Sequence, residues 1–177
     1  MGRREYATIS MPVNRLPQVL AGLKAIGDRR VLVGVPGETA ERQPVDGEKV
    51  TMNNPTLLFI HEHGSPARNI PARPTLGPGI EDARDKIGER MGKTALALIS
   101  GREVDVEKQL HAVGLIAQSS VRARFGGPDL APLAPSTLAA RRAKGRPGEA
   151  PLIETGQLRN AITYVIMKGD RQTGEGN

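Results

Sequence analysis

The chain has 177 residues, which fits a single domain with a core of its own, and its formal net charge of +6 permits a polyanionic partner. It has no cysteine, which excludes disulfides and cysteine-ligated metal sites, and its two tyrosines and two phenylalanines give little surface for stacking nucleobases. No apolar run approaches the roughly 20 residues that span a bilayer, so we expect no membrane association.

The first half of the chain predicts short, alternating elements. These are a strand at residues 5–11, a helix at 15–26 with an inner face of Leu16, Val19, Leu20, Leu23 and Ile26, and a buried strand at 30–35. Residues 38–52 are polar and aperiodic, which predicts a loop that is mobile until a neighbour orders it. Asn54 as N-cap and Pro55 at the first helical position predict a helix that Gly64 stops after His63.

The second half predicts a helical hairpin and shorter elements. Residues 80–99 carry one apolar stripe, and a second amphipathic helix with an inner face from Val106 to Val121 follows the Ser-Gly break. The elements expected after the hairpin are a short basic helix at 137–143 capped by Ser136, a mobile excursion at 145–150, a helical turn capped by Thr155, and a strand at 161–167. That strand should pair with residues 30–35 or with the N-terminal strand.

This pattern predicts an α+β fold. A small, mostly antiparallel sheet from strands far apart in sequence is expected to pack with the long helical hairpin and the shorter helices. Residues 1–168 are predicted to form one domain. Residues 169–177 lack apolar anchors and are predicted to be a disordered tail.

The sequence FIHEHGSPARNIPARPTLGPGI at residues 59–80 raises the question of a metal site. His61 and His63 flank Glu62, but two residues apart on a helix they point about 200° apart, whereas zincins place their histidines four apart on one face. A site shared with His111 is geometrically possible and has no motif behind it. We therefore predict a polar helix end, with no metal and no cofactor.

Catalytic motifs are also missing from the sequence. There is no Gly-x-Ser-x-Gly elbow, no cysteine nucleophile, and no glycine-rich phosphate loop followed by Lys-Ser or Lys-Thr. The many acids on the predicted helices are explained by solvent-exposed salt bridges. The sequence therefore predicts a protein that is not an enzyme.

The proline-rich loop that follows His63 has two interpretations. Its four prolines restrict the backbone, which lowers the entropy lost on ordering. As a docking arm it would present a protein interface made of Arg68, Ile70, Arg73, Pro74 and Leu76. Arg73 in particular is expected to offer its guanidinium to a partner's acidic groups. The alternative is an ordered connector in which Arg73 tethers the loop to its own long helix.

Residues 121–146 form a basic cluster in the sequence, with six bases against one acid. A possible DNA-facing patch within it consists of Arg141, Arg142, Lys144 and Arg146. The other interpretations are a solvated face or a protein-docking patch. If the cluster binds nucleic acid, we expect non-specific proximity to DNA and no sequence-specific recognition.

Three motifs resemble those of one protein family. The first motif, IHEHGSPARNIPARPTLGPGIEDA (60–83), and the third, LIETGQLRNAITYV (152–165), resemble signatures of a neck and tail-completion family of tailed phages and prophages, the minor tail protein Z and virion-morphogenesis type. The second, APLAPSTLAARRAKG (131–145), is similar to that family's Pro-Leu-x-Pro-x-Thr-Leu-x-x-Arg segment. The similarity covers residues 31–167.

The chain departs from the family pattern at four of these positions. His63 and Thr75 stand where an aromatic residue is usual, which puts two packing anchors in doubt. Glu154 and Ala161 replace Asp and Ser.

The resemblance implies a structural virion protein that acts in tail completion or head–tail joining. It also implies an α+β fold, self-association into a ring with six copies favoured over twelve, and contacts with other phage neck and tail proteins. The expected location is the virion neck or tail, after synthesis in the cytoplasm of a host bacterium. A basic nucleic-acid-binding module is the alternative.

Overall fold

The computed structural model describes residues 14–45, 47 and 49–169. Within that part of the chain the elements are α1 (Leu16–Gly27), β1 (Arg29–Gly34), α2 (Asn54–His63), α3 (Leu76–Ile99), α4 (Val106–Arg124), α5 (Pro135–Ala143), α6 (Gln157–Ala161) and β2 (Thr163–Lys168). Single 3-10 turns occur at Gly37–Thr39 and Pro66–Arg68. The fold is α+β, as predicted. The strand expected at residues 5–11 lies outside the described residues, as does the tail from residue 170.

The two strands form an antiparallel pair between distant parts of the chain. Arg29 lies opposite Lys168 at one end of the ladder, and Gly34 lies opposite Thr163 at the other. Of the two partners predicted for the C-terminal strand, the structure shows the one at residues 30–35. The sheet packs on α4 through both strands, so the C-terminal segment is fixed to the hairpin.

Helices α3 and α4 form the predicted hairpin. Leu110, Val113, Ala117 and Val121 are buried on α4, as the apolar stripe indicated. Close approach of the two helices depends on Gly79, since a Cβ at that position would lie 2.6 Å from the Cα of Val121. The predicted start of α3 at residue 80 is wrong, because the helix begins at Leu76.

The main core joins α2, α4 and the C-terminal segment. Its buried side chains are Leu58, Val121, Phe125, Leu158 and Ile162. Full burial of such side chains contributes about 1.5–3 kcal/mol each. The core therefore holds the C-terminal segment against α4 and against Leu58 of α2, which is distant in the sequence.

The predicted inner face of α1 is only partly buried, since Val19 and Ile26 are half-buried and the three leucines are exposed. Leu16 and Leu20 are 60% and 57% exposed. The helix instead turns Gly22 toward α3, where a Cβ would lie 2.7 Å from the Cδ2 atom of Leu98. A glycine allows the two backbones to approach closely, so packing is centred on the smallest side chain and the leucines lie to one side.

Three predicted helix caps are shifted by one or two residues. Asn53 caps α2, since its Oδ1 accepts from the Thr56 N–H at 3.0 Å, while Asn54 is buried and donates to the Thr39 and Glu41 carbonyls. The caps of α5 and α6 are Ala134 and Gly156 rather than Ser136 and Thr155. Of the helices described, none combines the length and apolar character of a membrane span.

Candidate functional site

The three motifs meet around one cavity. Its volume is about 340 Å³, and its lining includes His61 and Arg73 from the first motif, Arg141 from the second, and Glu154 and Leu158 from the third. Segments that are far apart in sequence therefore build one local structure. This cavity and its rim are the candidate functional site.

Glu62 fixes the junction between α2 and α3. Its carboxylate accepts from the backbone N–H groups of Thr75 at 2.8 Å and of Leu76 and Gly77 at 3.2 Å. These are among the unpaired donors at a helix N-terminus, where a negative charge is also favoured by the helix dipole. The early start of α3 follows from this cap. Sequence reasoning missed it because Glu62 precedes the helix by far more than the three-residue spacing of a capping box.

The three histidines lie in different surroundings. The Nδ1 atom of His63 lies 3.0 Å from the Phe59 carbonyl, and that of His111 lies 3.0 Å from the Tyr164 hydroxyl. His61 faces the cavity, and its Nδ1 is buried without a hydrogen-bond partner among the described residues. No three metal-binding side chains come together in the described part of the chain.

The charge of His61 is disfavoured by its position. Burial lowers the pKa of its imidazole, and the positive charges of Arg73 and Arg42 lower the same pKa further. The neutral imidazole is therefore favoured in the folded protein at neutral pH.

The expectation that Arg73 presents a free guanidinium is wrong. The residue is 6% exposed, and its side chain donates from Nε to the Ala131 carbonyl at 2.6 Å and from Nη2 to the Pro132 carbonyl at 2.7 Å. Its backbone N–H donates to the His61 carbonyl at 2.6 Å. Arg73 is thus an intramolecular tether, but it joins the loop to the second motif and not to the long helix.

The other predicted interface residues divide between surface and interior. Arg68 and Pro74 are exposed, whereas Ile70 and Leu76 are partly buried. Ile70 is held by a reciprocal backbone pair with Ser65, and Leu76 packs against the core. The loop is therefore folded back on the monomer, and its outer side remains available for contact.

The possible DNA-facing patch does not form a free basic surface. Arg141 is buried at 6% exposure and donates from Nη1 to the carbonyls of Gly148 and Ala150 at 2.8 and 3.0 Å. Arg142 pairs with Glu149 at 3.1 Å, and Arg146 pairs with Glu154 at 3.0 Å. Lys144 is exposed on the same segment.

The rest of the basic cluster is also used inside the monomer. Arg122 donates to the Ile162 and Asn160 carbonyls, which anchors the end of α6 to α4. Arg124 pairs with Asp82 and Asp129, and its hydrogen bond lowers the pKa of the Asp82 carboxyl. Asp82 on α3 and the nearer acids Asp129, Glu149 and Glu154 thus offset part of the positive charge of the cluster, while Arg122 and Arg141 bond to carbonyls.

Two loops that were predicted to be mobile have anchors in the monomer. Gln43 and Gln157 exchange two hydrogen bonds of 2.9 Å, which hold the loop after the first 3-10 turn. In the segment at 145–150, the carbonyls of Gly148 and Ala150 accept hydrogen bonds from Arg141. These contacts argue against the prediction that the two loops become ordered only against neighbouring subunits. Hydrogen exchange of the loop amides in the free protein tests that prediction.

Comparison with models of protein families, with curated proteins and with solved structures gave no match for this chain.

Proposed function

We propose that the chain is a structural protein of a tailed-phage or prophage virion, acting in tail completion or head–tail joining at the neck. The observation that carries the proposal is the meeting of all three family-like motifs at one place. Arg73 of the first motif bonds to two carbonyls of the second, and the third lines the same cavity. Motifs that form one physical unit are expected if they belong to one fold, whereas chance similarities would be scattered.

The surroundings of the cavity favour a structural role over a catalytic one. Among the described residues, His61 has no hydroxyl or carboxylate hydrogen-bonded to Nδ1, so it lacks the partner that would orient it as a general base. The nearby arginines donate to backbone carbonyls, which is a use of charge that stabilises loops. Both observations support a protein that acts through its surface.

Exposed aliphatic side chains on α1 and α3 support self-association. Leu16 and Leu20 on α1 and Leu96 and Ile99 on α3 are all more than half exposed, and α1 packs on α3. Exposed aliphatic side chains of this kind are common at interfaces between protein subunits. We propose that copies of the chain form a ring, with six copies favoured, and that the outer side of the loop with Arg68 and Pro74 meets other neck or tail proteins.

Assembly is tested on the purified protein and on virions. Native mass spectrometry of the wild type should show a ring, and Leu20→Glu should shift the population to monomers that still unfold cooperatively. Lys24→Ala, an exposed substitution on the same helix, is the matched control. In a phage that carries the gene, its loss should give separated heads and tails, and normal virions would reject the proposal.

The alternative, a nucleic-acid-binding module, is tested by salt dependence. Phosphate contacts give an affinity that falls steeply between about 50 and 200 mM salt. Because Arg141, Arg142 and Arg146 are engaged within the monomer, we expect weak DNA binding. Tight, salt-sensitive binding together with an intact neck in the absence of the protein would favour the alternative.

A further inference from the structure

The cavity at the meeting point of the motifs has an unbalanced charge. Arg42, Arg73 and Arg141 line it together with His61. The one carboxylate in the lining, Glu154, already pairs with Arg146 at 3.0 Å. Within the described residues, none of the three lining arginines forms a salt bridge.

The buried cations are solvated by neutral groups alone. Arg73 and Arg141 are each 6% exposed, and the acceptors of their side chains are backbone carbonyls. The Nε of Arg141 and the Nδ1 of His61 are buried with no hydrogen-bond partner in the described structure. Burial of a charged group without an opposite charge is unfavourable, and carbonyl dipoles offset this only in part.

Lowered pKa values indicate that these cationic groups lie close enough to repel one another. Burial lowers the pKa of Arg73, and the charge of Arg141 lowers it further. Arg73 and Arg42 in turn lower the pKa of His61. A water molecule could supply an acceptor but would leave the net positive charge in place, whereas an anion would remove the repulsion.

The remaining lining restricts the kind of anion. Leu57, Ile70, Leu133, Leu152 and Leu158 give the cavity apolar walls. A volume of about 340 Å³ is at the lower end of ligand-binding pockets, which suits a ligand the size of one amino acid with its flanking groups. A bare inorganic ion would leave the apolar wall without a contact.

We propose that this cavity binds a carboxylate carried on a compact branched aliphatic group. The ligand is either a small free organic acid or the C-terminal residue of a protein chain, since both present the same chemistry. Arg42 is the arginine best placed to move toward a bound carboxylate, because its side chain is partly exposed and makes one hydrogen bond, of 3.3 Å to Asn54. The inference does not depend on the proposed virion role.

The test is titration of the purified full chain, followed by NMR of the arginine Nε–H groups. N-acetyl-leucine supplies the carboxylate and the branched side chain, and N-acetyl-leucinamide is the matched neutral probe. We expect saturable shifts of the Arg141 Nε–H signal with the acid and none with the amide. Equal response to acid and amide, or no response to either, would overturn the proposal.

Two further probes define the ligand. Inorganic phosphate should bind at least about tenfold more weakly than N-acetyl-leucine, because it cannot contact the apolar wall, and equal affinity would overturn the assignment of ligand class. The peptide Gly-Ser-Gly-Leu with a free carboxylate distinguishes the sources. If it binds as well as N-acetyl-leucine, the site takes a chain terminus, and if N-acetyl-leucine alone binds, the site takes a small acid.

Variants assign the binding to the cavity. Arg42→Gln should weaken binding of N-acetyl-leucine about tenfold, as expected for the loss of one charge-assisted contact. Arg68→Gln, at an exposed position of the proline-rich loop outside the lining, should leave it unchanged. Equal weakening by both variants would reject the cavity as the site. If Arg42→Gln disturbs the fold, the comparison of acid with amide on the unaltered protein still decides.

Discussion

The Nε atom of Arg73 lies 2.6 Å from the carbonyl oxygen of Ala131, which places an arginine of the first motif in direct contact with the second. Its Nη2 lies 2.7 Å from the next carbonyl, that of Pro132. The two parallel bonds use the planar fork that distinguishes arginine from lysine. The residue thus holds two loops together inside the monomer.

Arg73→Ala should lower the stability of the monomer. The change removes two charge-assisted hydrogen bonds and leaves two carbonyls to find other partners, so we expect a loss of about 2–3 kcal/mol in the free energy of unfolding. For a chain of this size that corresponds to a fall of roughly 5–10 °C in the melting temperature. Differential scanning calorimetry provides the measurement.

Matched variants separate this tether from a general loop effect. Arg73→Lys should recover part of the loss, because a single ammonium cannot reproduce the fork. Arg68→Ala, at an exposed position of the same loop, should change the melting temperature little. An Arg73→Ala protein that melts like the wild type would show that the two bonds do not contribute to stability.

Glu62→Ala should destabilise the start of α3. The carboxylate accepts from three consecutive backbone N–H groups, so its removal should cost about 1–2 kcal/mol. Glu62→Gln keeps the shape and one acceptor but loses the charge. It should lower the stability less than Glu62→Ala does. Hydrogen exchange of the Thr75, Leu76 and Gly77 amides reports the effect locally. Unchanged protection of these amides in Glu62→Ala would contradict the capping role.

Two glycine substitutions in the hairpin should have opposite effects. At Gly114 a Cβ would overlap the ring of Tyr164, whereas at Gly88 nothing lies within 4 Å of the added atom. Gly114→Ala should therefore destabilise by about 1–3 kcal/mol through overpacking. Gly88→Ala should stabilise by about 0.5–1 kcal/mol, because alanine is the better helix former. Urea denaturation compares the two, and the same sign for both would refute the packing of Tyr164 on α4.

His61 should make stability depend on pH. Burial and the charges of Arg73 and Arg42 lower its pKa in the folded state, so the unfolded chain, with a value of 6.5, binds the proton more readily. The contribution of His61 to the free energy of unfolding is therefore fully present above that pH. It declines as the pH falls from 6.5 toward the lowered folded-state pKa.

Urea titrations at about pH 7.5 and pH 5.5 measure this dependence. The wild type should lose more stability between the two values than His61→Gln. His63→Gln, on the exposed end of the same helix, is the control and should keep the dependence of the wild type. An equal loss in wild type and His61→Gln would place the pH sensitivity elsewhere.

The sequence by itself predicted most of the described elements and limited the partner of the C-terminal strand to two candidates. The apolar stripe of α4 corresponds to Leu110, Val113, Ala117 and Val121, all buried. Gly64, at φ +76°, ends α2 as expected. Such features are local, because helical periodicity and the left-handed preference of glycine depend on residues within one or two turns. The strand pairing was accessible because short apolar strands must find partners.

Only the tertiary structure decided how the charged and apolar side chains are used. The inner face of α1 depends on the contact of Gly22 with Leu98, and the start of α3 depends on Glu62 at the end of another helix. Neither contact follows a fixed sequence spacing.

The site residues show the same division most clearly. Proline restraints on both sides of Arg73 are readable in the sequence, but the direction of its side chain is set by the carbonyls of Ala131 and Pro132. Part of the charge of the basic cluster is offset by Asp82, which lies on α3, 42 residues before its partner Arg124. Coulomb and hydrogen-bond energies depend on distance in space, and spatial neighbours far apart in the chain are what a linear pattern does not contain.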